Sequence, residues 1–315
     1  MKKITICEVG LRDGLQNECS LLTTDEKVDL LNDITEAGYS IIEVGSFVSP
    51  KAVPQMSDTD EIFKKAKLKP DVEYRALIAN LKGVERAINC GCKKVKLNVS
   101  ASKPHNLANL NMTPEESVKG FENCVKLAVK HDIGISGSIS MPFGSPWDSE
   151  IPIQDVEEIV EAYLSVGIKE ISLSDAAGVA YPDQVFKFSK HFKEKFPNVK
   201  WILHFHNTRG LAIANILAGI EGGVDHFDTA FAGLGGCPFV PGAAGNVSSE
   251  DVLHLFDLMN LKTEINLDKV ISIGKKVEGL VGHRADSYIL RAGKAGDLVK
   301  NLPKGQGKNY TKTCS

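Results

Sequence analysis

Eight short β-rich runs recur along this chain, each trailed by a helical pattern, at intervals of about 30 residues. They lie at 4–8, 41–44, 74–78, 94–98, 133–139, 170–173, 201–206 and 226–229. Helical patterns fall between them, among them 24–37, opening on Thr-Thr-Asp, and 114–131, with Pro in its first turn. The series continues through 152–166, 182–196 and 211–221, and 248–259 follows the eighth run. Strand–helix alternation of this kind demands a parallel sheet, because parallel neighbours need a crossover. Eight such units favour a closed (β/α)8 TIM barrel over an open doubly wound sheet. An open sheet would also want a phosphate-binding G-x-G-x-x-G after the first strand, and the chain has none there. We read residues 1–262 as the barrel. Residues 263–315 read as a short C-terminal helical extension and tail, the helix at 266–281, packed on the barrel or mobile.

Composition narrows the class. A net charge of −3 over 315 residues provides no electrostatic footprint for nucleic acid or an anionic membrane. No run approaches the roughly 18 apolar residues of a membrane span, and the N-terminus reads as no signal peptide. Seven cysteines without a paired C-x-x-C framework point to a reducing, cytoplasmic setting.

In a barrel, chemistry sits at the carboxyl ends of the strands. The first run is followed by Arg12-Asp13-Gly14, which could be a bare surface turn, since Asp-Gly is a common turn pair. The second carries Glu43 in an otherwise apolar stretch. Buried glutamate is rare unless paired, so a cation such as Arg12 is expected beside it. His204 and His206 alternate on the seventh run and therefore share a face. One core histidine is commonly a satisfied hydrogen-bonder, whereas two at this spacing are more often metal ligands. Asp13 and Asn246, from the first and last units, then supply oxygens. Two nitrogens and two oxygens suit Mg²⁺ or Mn²⁺, with Zn²⁺ as the other candidate. Asp175 lies just past the sixth run, either as an N-cap for a following short helix or as a site carboxylate. The remaining histidines, such as His105, His131, His254 and His283, belong to no constellation and are expected on loops or helix surfaces.

The glycine- and proline-rich segment 233–246 cannot be a helix or a regular strand. Free cysteines are usually small buried hydrophobes. Here the composition instead describes a shaped loop that carries Cys237 to a site where backbone approaches ligand closely.

These residues resemble the 3-hydroxy-3-methylglutaryl-CoA lyase family over roughly residues 4 to 260. The resemblance rests on Glu8 through Glu18, Ser46-Phe47-Val48-Ser49-Pro50-Lys51, His204-x-His206 and the Gly-Leu-Gly-Gly-Cys237-Pro loop. The loop is the specific element; Arg-Asp-Gly and His-x-His belong to a wider group of metal-dependent barrel lyases and synthases. The resemblance implies metal ligands Asp13, His204, His206 and Asn246. It also implies Arg12 facing the thioester oxygen, Cys237 as a proton carrier, and Asp175 or His204 near the hydroxyl to be cleaved. Glu43 would hold Arg12, and Ser46 would help bind substrate. The expected reaction splits 3-hydroxy-3-methylglutaryl-CoA into acetyl-CoA and acetoacetate, with a small-molecule acyl-CoA as the partner and a homodimer as the expected assembly.

The chain departs from the family pattern at Val44-Gly45, where two threonines are usual, and at Ala52, where a tryptophan is common. Asn207 replaces the usual Asp, and Ser138 replaces an aromatic. None is an expected ligand, but these departures bear on the acyl group, so a related 3-hydroxyacyl-CoA such as citramalyl-CoA is the alternative substrate. A condensing synthase of the same group, which typically lacks the cysteine loop, and a non-catalytic CoA-ester-binding barrel are the remaining readings.

Overall fold

The computed structural model describes residues 3–236 and 244–297. Eight parallel strands pair in sequence order and close into a barrel: β1 (Thr5–Glu8), β2 (Ile41–Ser46), β3 (Glu73–Ile78), β4 (Lys94–Ser100), β5 (Gly134–Ser140), β6 (Glu170–Asp175), β7 (Lys200–Phe205) and β8 (His226–Thr229). Closure is the pairing of β1 with β8, in which Cys7 lies beside Asp228 and Glu8 beside Thr229. This brings the turns after the first and last strands together.

The helices are α1 (Thr24–Ala37), α2 (Thr59–Lys65), α3 (Leu81–Cys90), α4 (Lys103–Leu110), α5 (Pro114–Lys130), α6 (Ile153–Ser165), α7 (Pro182–Lys195), α8 (Ala212–Glu221), α9 (Ser249–Leu258), α10 (Leu267–Val281) and α11 (Tyr288–Ala292). Local chemistry sets their ends. Thr23 with Glu26 and Thr113 with Glu116 form reciprocal capping boxes at α1 and α5. Gly38 ends α1 with φ at +99°, and a Cβ there would stand 2.7 Å from the Glu264 carbonyl oxygen. That close approach lets the segment before α10 dock, with Asn266 N–H donating to Ala37 O. The buried face of α10, including Leu267, Val270, Ile273 and Val277, packs against α1 and α9. Among the described residues, no helix is long and apolar enough to cross a membrane.

Alternation along the strands separates two environments. Val95, Leu97 and Val99 of β4 and Trp201, Leu203 and Phe205 of β7 join the apolar layer beneath the helices. Their alternates, Lys94, Lys96, Asn98 and Ser100 on β4 and His204 on β7, therefore face the barrel interior. That interior is heavily charged, since Glu43, Arg75, Lys96 and Asp228 are all buried.

Three of the differences from the expectations shape the carboxyl end of the barrel. The segment after β1 is a π-helical turn, Gly10–Gly14, in which Asp13 and Gly14 N–H both donate to Val9 O. Strand β2 runs on to Ser46 through an irregularity between Glu43 and Gly45. Strand β7 stops at Phe205, and His206 instead makes an isolated antiparallel bridge to Asn246.

Candidate active site

The π-helical turn presents Arg12 and Asp13 at the carboxyl end of the barrel. Glu8 anchors it from below, accepting from Gly10 N–H at 2.8 Å and Phe231 N–H at 2.9 Å. Arg12 Nε donates to Glu43 Oε1, and Arg12 Nη1 to Asp13 Oδ1. The cation that a buried Glu43 required is thus the expected one. Burial pushes the Asp13 carboxyl up, but Arg12 and the two histidines outweigh it and hold it well below the usual range.

The other oxygen of Asp13 is where the histidines converge. His206 Nε2 lies 3.2 Å and His204 Nε2 3.7 Å from Asp13 Oδ2. One ligand atom from each of these three residues falls within 4.8 Å of the others, close enough to share an ion. Asn246 reaches the same carboxylate oxygen through Nδ2 at 2.8 Å, a position set by the backbone bridge to His206. Its Oδ1 is buried without a hydrogen-bond partner, as is His206 Nδ1. A buried amide oxygen costs free energy unless satisfied. A cation bound among nitrogen and oxygen donors would satisfy it, so the donor set fits a divalent ion.

The second carboxylate that organises the site was missed in the sequence. Asp228 Oδ2 lies 3.3 Å from His204 Nδ1, which fixes the tautomer that presents Nε2 to Asp13. Burial raises the Asp228 carboxyl, but Lys96 and His204 outweigh this and hold it low. Its only sequence signal is a lone acid between Phe227 and Thr229 on a strand.

Asp175 ends β6 and is buried. Its Oδ1 accepts Val179 N–H at 3.0 Å and Oδ2 accepts Ala180 N–H at 2.9 Å. It therefore caps the turn after β6 rather than a helix, since α7 begins only at Pro182. Burial raises its pKa despite those donors and the nearby histidines. Ser46 ends β2 fully buried, and its hydroxyl turns to Leu77 O at 3.4 Å rather than into the Asp13 cluster. Cys237 lies outside the described residues.

His105 corrects the sequence reading, which put it on a loop or helix surface. It is buried at the start of α4, its Nδ1 is 2.9 Å from Ser100 Oγ, and its ring stacks on Trp147. Burial pushes its pKa down to about 4.

The HMGL-like family model matches residues 3–277. This chain belongs to the HMGL-like family. Hydroxymethylglutaryl-CoA lyase of Bacillus subtilis is 37% identical over 294 residues, which cover 93% of this chain and 98% of that protein. A Pseudomonas aeruginosa enzyme named as 3-hydroxy-3-isohexenylglutaryl-CoA/hydroxymethylglutaryl-CoA lyase is 37% identical over 92% of this chain and 97% of its own. Among solved structures, an HMG-CoA lyase from Acinetobacter baumannii in complex with coenzyme A and 3-methylmalate superimposes with a TM-score of 0.92. It is 40% identical, over 96% of this chain and 98% of that one. The HMGL-like match runs into α10, so the family relationship extends past the eighth barrel unit.

Proposed function

We propose that this chain is a carbon–carbon lyase that cleaves 3-hydroxy-3-methylglutaryl-CoA to acetyl-CoA and acetoacetate. The observation that carries this reading is the meeting of Asp13, His204 and His206 around one point, with the Arg12 guanidinium bonded to the same aspartate. Asp13, His204, His206 and Asn246 would hold a divalent ion, with Mg²⁺ or Mn²⁺ favoured by the nitrogen and oxygen donors. That ion would supply Lewis-acid polarisation of the substrate hydroxyl.

The chain's own residues account for the proton and charge movements. Asp175 takes the hydroxyl proton. Both ring nitrogens of His204 already face carboxylates, and burial raises the basicity of Asp175 despite the Val179 and Ala180 N–H donors on its oxygens. As the hydroxyl carbon becomes a carbonyl, the electrons of the broken bond pass to the thioester enolate. Arg12, anchored through Nε and Nη1, directs its remaining N–H groups at that oxygen, an interaction that strengthens toward the transition state. Cys237 then delivers a proton to the enolate carbon.

A related 3-hydroxyacyl-CoA such as citramalyl-CoA is the second reading, and the wall beside His204 favours it. Ser100, Ser140, Ser174 and His204 are register partners across β4 to β7, and Asn98, Ser138 and Ser172 form the rung below. Hydroxyls there suit a polar substituent on the reacting carbon. A panel of 3-hydroxyacyl-CoA esters, assayed with Mg²⁺ and Mn²⁺ for acetyl-CoA and keto-acid release, separates the two readings. No metal-dependent cleavage of any ester would overturn both.

A further inference from the structure

We propose that Lys96 is a positioning residue that couples the Arg12 half of the site to the His204 half. Its ammonium lies in the barrel interior with its side chain 3% exposed. Nζ is 2.6 Å from Glu43 Oε2 and 3.4 Å from Asp228 Oδ2. The other oxygen of Glu43 holds Arg12 Nε, and Asp228 Oδ2 also faces His204 Nδ1. One buried cation on β4 thus touches both carboxylates that orient the site, one from β2 and one from β8.

Packing does not account for a lysine at this position. Barrel interiors are typically filled by branched apolar side chains. Burying an ammonium is costly, and apolar replacements of buried ion pairs are often neutral or stabilising. The geometry supplies another reason. Without Lys96, Glu43 and Asp228 would be neighbouring buried carboxylates that repel one another. Each would swing from its present orientation and carry Arg12 or His204 with it.

This inference rests on reading Asp13, His204 and His206 as a cation site, and the test keeps the two separable. Mn²⁺ binding is measured by calorimetry on the full chain for wild type, Lys96→Met, Asp228→Asn and the double variant, with a thermal transition confirming that each is folded. Lys96→Met should weaken Mn²⁺ by about 10- to 100-fold, the loss typical when a metal ligand's supporting partner is disturbed. It should also lower kcat more than it changes KM. Because part of the Lys96 effect reaches His204 through Asp228, the double variant should lose less Mn²⁺ affinity than the product of the two single losses. If Lys96→Met does not fold, Lys96→Gln, which keeps a donor and loses the charge, is read in the same way. Wild-type affinity in the lysine variant, or losses that multiply in the double variant, overturns the proposal alone. A wild-type protein that binds no Mn²⁺ overturns the cation site as well.

Discussion

Asp228 Oδ2 stands 3.3 Å from Nδ1 of His204, and this pairing turns Nε2 toward Asp13. The consequence for a bound cation is measurable without any substrate. An ion at 100 times its dissociation constant stabilises a fold by about 2.7 kcal/mol. In a chain of this size, each kcal/mol raises Tm by about 2–4 °C. Saturating Mn²⁺ should therefore raise the Tm of the wild-type protein by several degrees. His204→Ala, His206→Ala and Asp13→Asn should each abolish the rise. An undiminished rise in any of the three would remove that residue from the ligand set.

The two buried glutamates beneath the mouth predict a pH dependence of stability. Burial lifts Glu8 from the usual 4.5 to about 7, and it lifts Glu250 to about 8, with Glu8 itself adding to the rise. A carboxyl with a raised folded pKa holds a proton that the unfolded chain has released. Its stabilising contribution is complete below about 4.5 and is lost as pH climbs through 7 and 8. His105, pushed down from 6.5 to about 4, works in the opposite direction but only below 6.5. The urea midpoint should therefore fall between pH 6.5 and 8.5, and Glu250→Gln should flatten that fall. A flat wild-type profile would show that neither carboxyl holds its proton.

Much of this architecture was legible because β/α barrels write their periodicity into every unit. The eighth strand has the predicted bounds, and α1 spans the predicted 24–37. The Arg12–Glu43 pair was legible from the cost of burying a lone carboxylate. The π-helical turn was not, because its residues also suit a surface turn, and the bonds to Val9 O that define it are backbone geometry. Asp228 and Lys96 were missed for a related reason. A single charge at an inward strand position is indistinguishable from one at an exposed edge until the barrel closes. His105 was misread because the groups that bury it, Ser100 at the end of β4 and Trp147 in the segment after β5, are brought to it only by the fold.

Gly10 ties the fold to the site by close approach. A Cβ there would meet the Phe231 ring at 2.5 Å and Glu8 Oε1 at 2.7 Å. The turn that carries Arg12 and Asp13 could not then close on the segment that follows β8. Overpacking of this kind typically costs about 1–3 kcal/mol. Gly10→Ala should lower the denaturation midpoint accordingly and reduce kcat together with Mn²⁺ affinity. A variant that loses stability but keeps both would show that the turn tolerates displacement.

Arg12 offers the sharpest separation of binding from catalysis. Its Nε is committed to Glu43 and its Nη1 to Asp13, so the fork is fixed before substrate arrives. Lysine retains the charge but has one donor centre, which cannot span both carboxylates and still face an enolate oxygen. The charge it stabilises develops only as the carbon–carbon bond breaks, so the loss should fall on kcat. Arg12→Lys should lower kcat by about 10²- to 10³-fold, the scale of removing one preorganised oxyanion donor. Arg12→Gln, lacking charge as well, should cost more, with KM changed little in either. Steady-state kinetics on the preferred ester make the measurement. An effect confined to KM would mean that Arg12 binds the thioester equally in ground and transition states, and the enolate would need another source of positive charge.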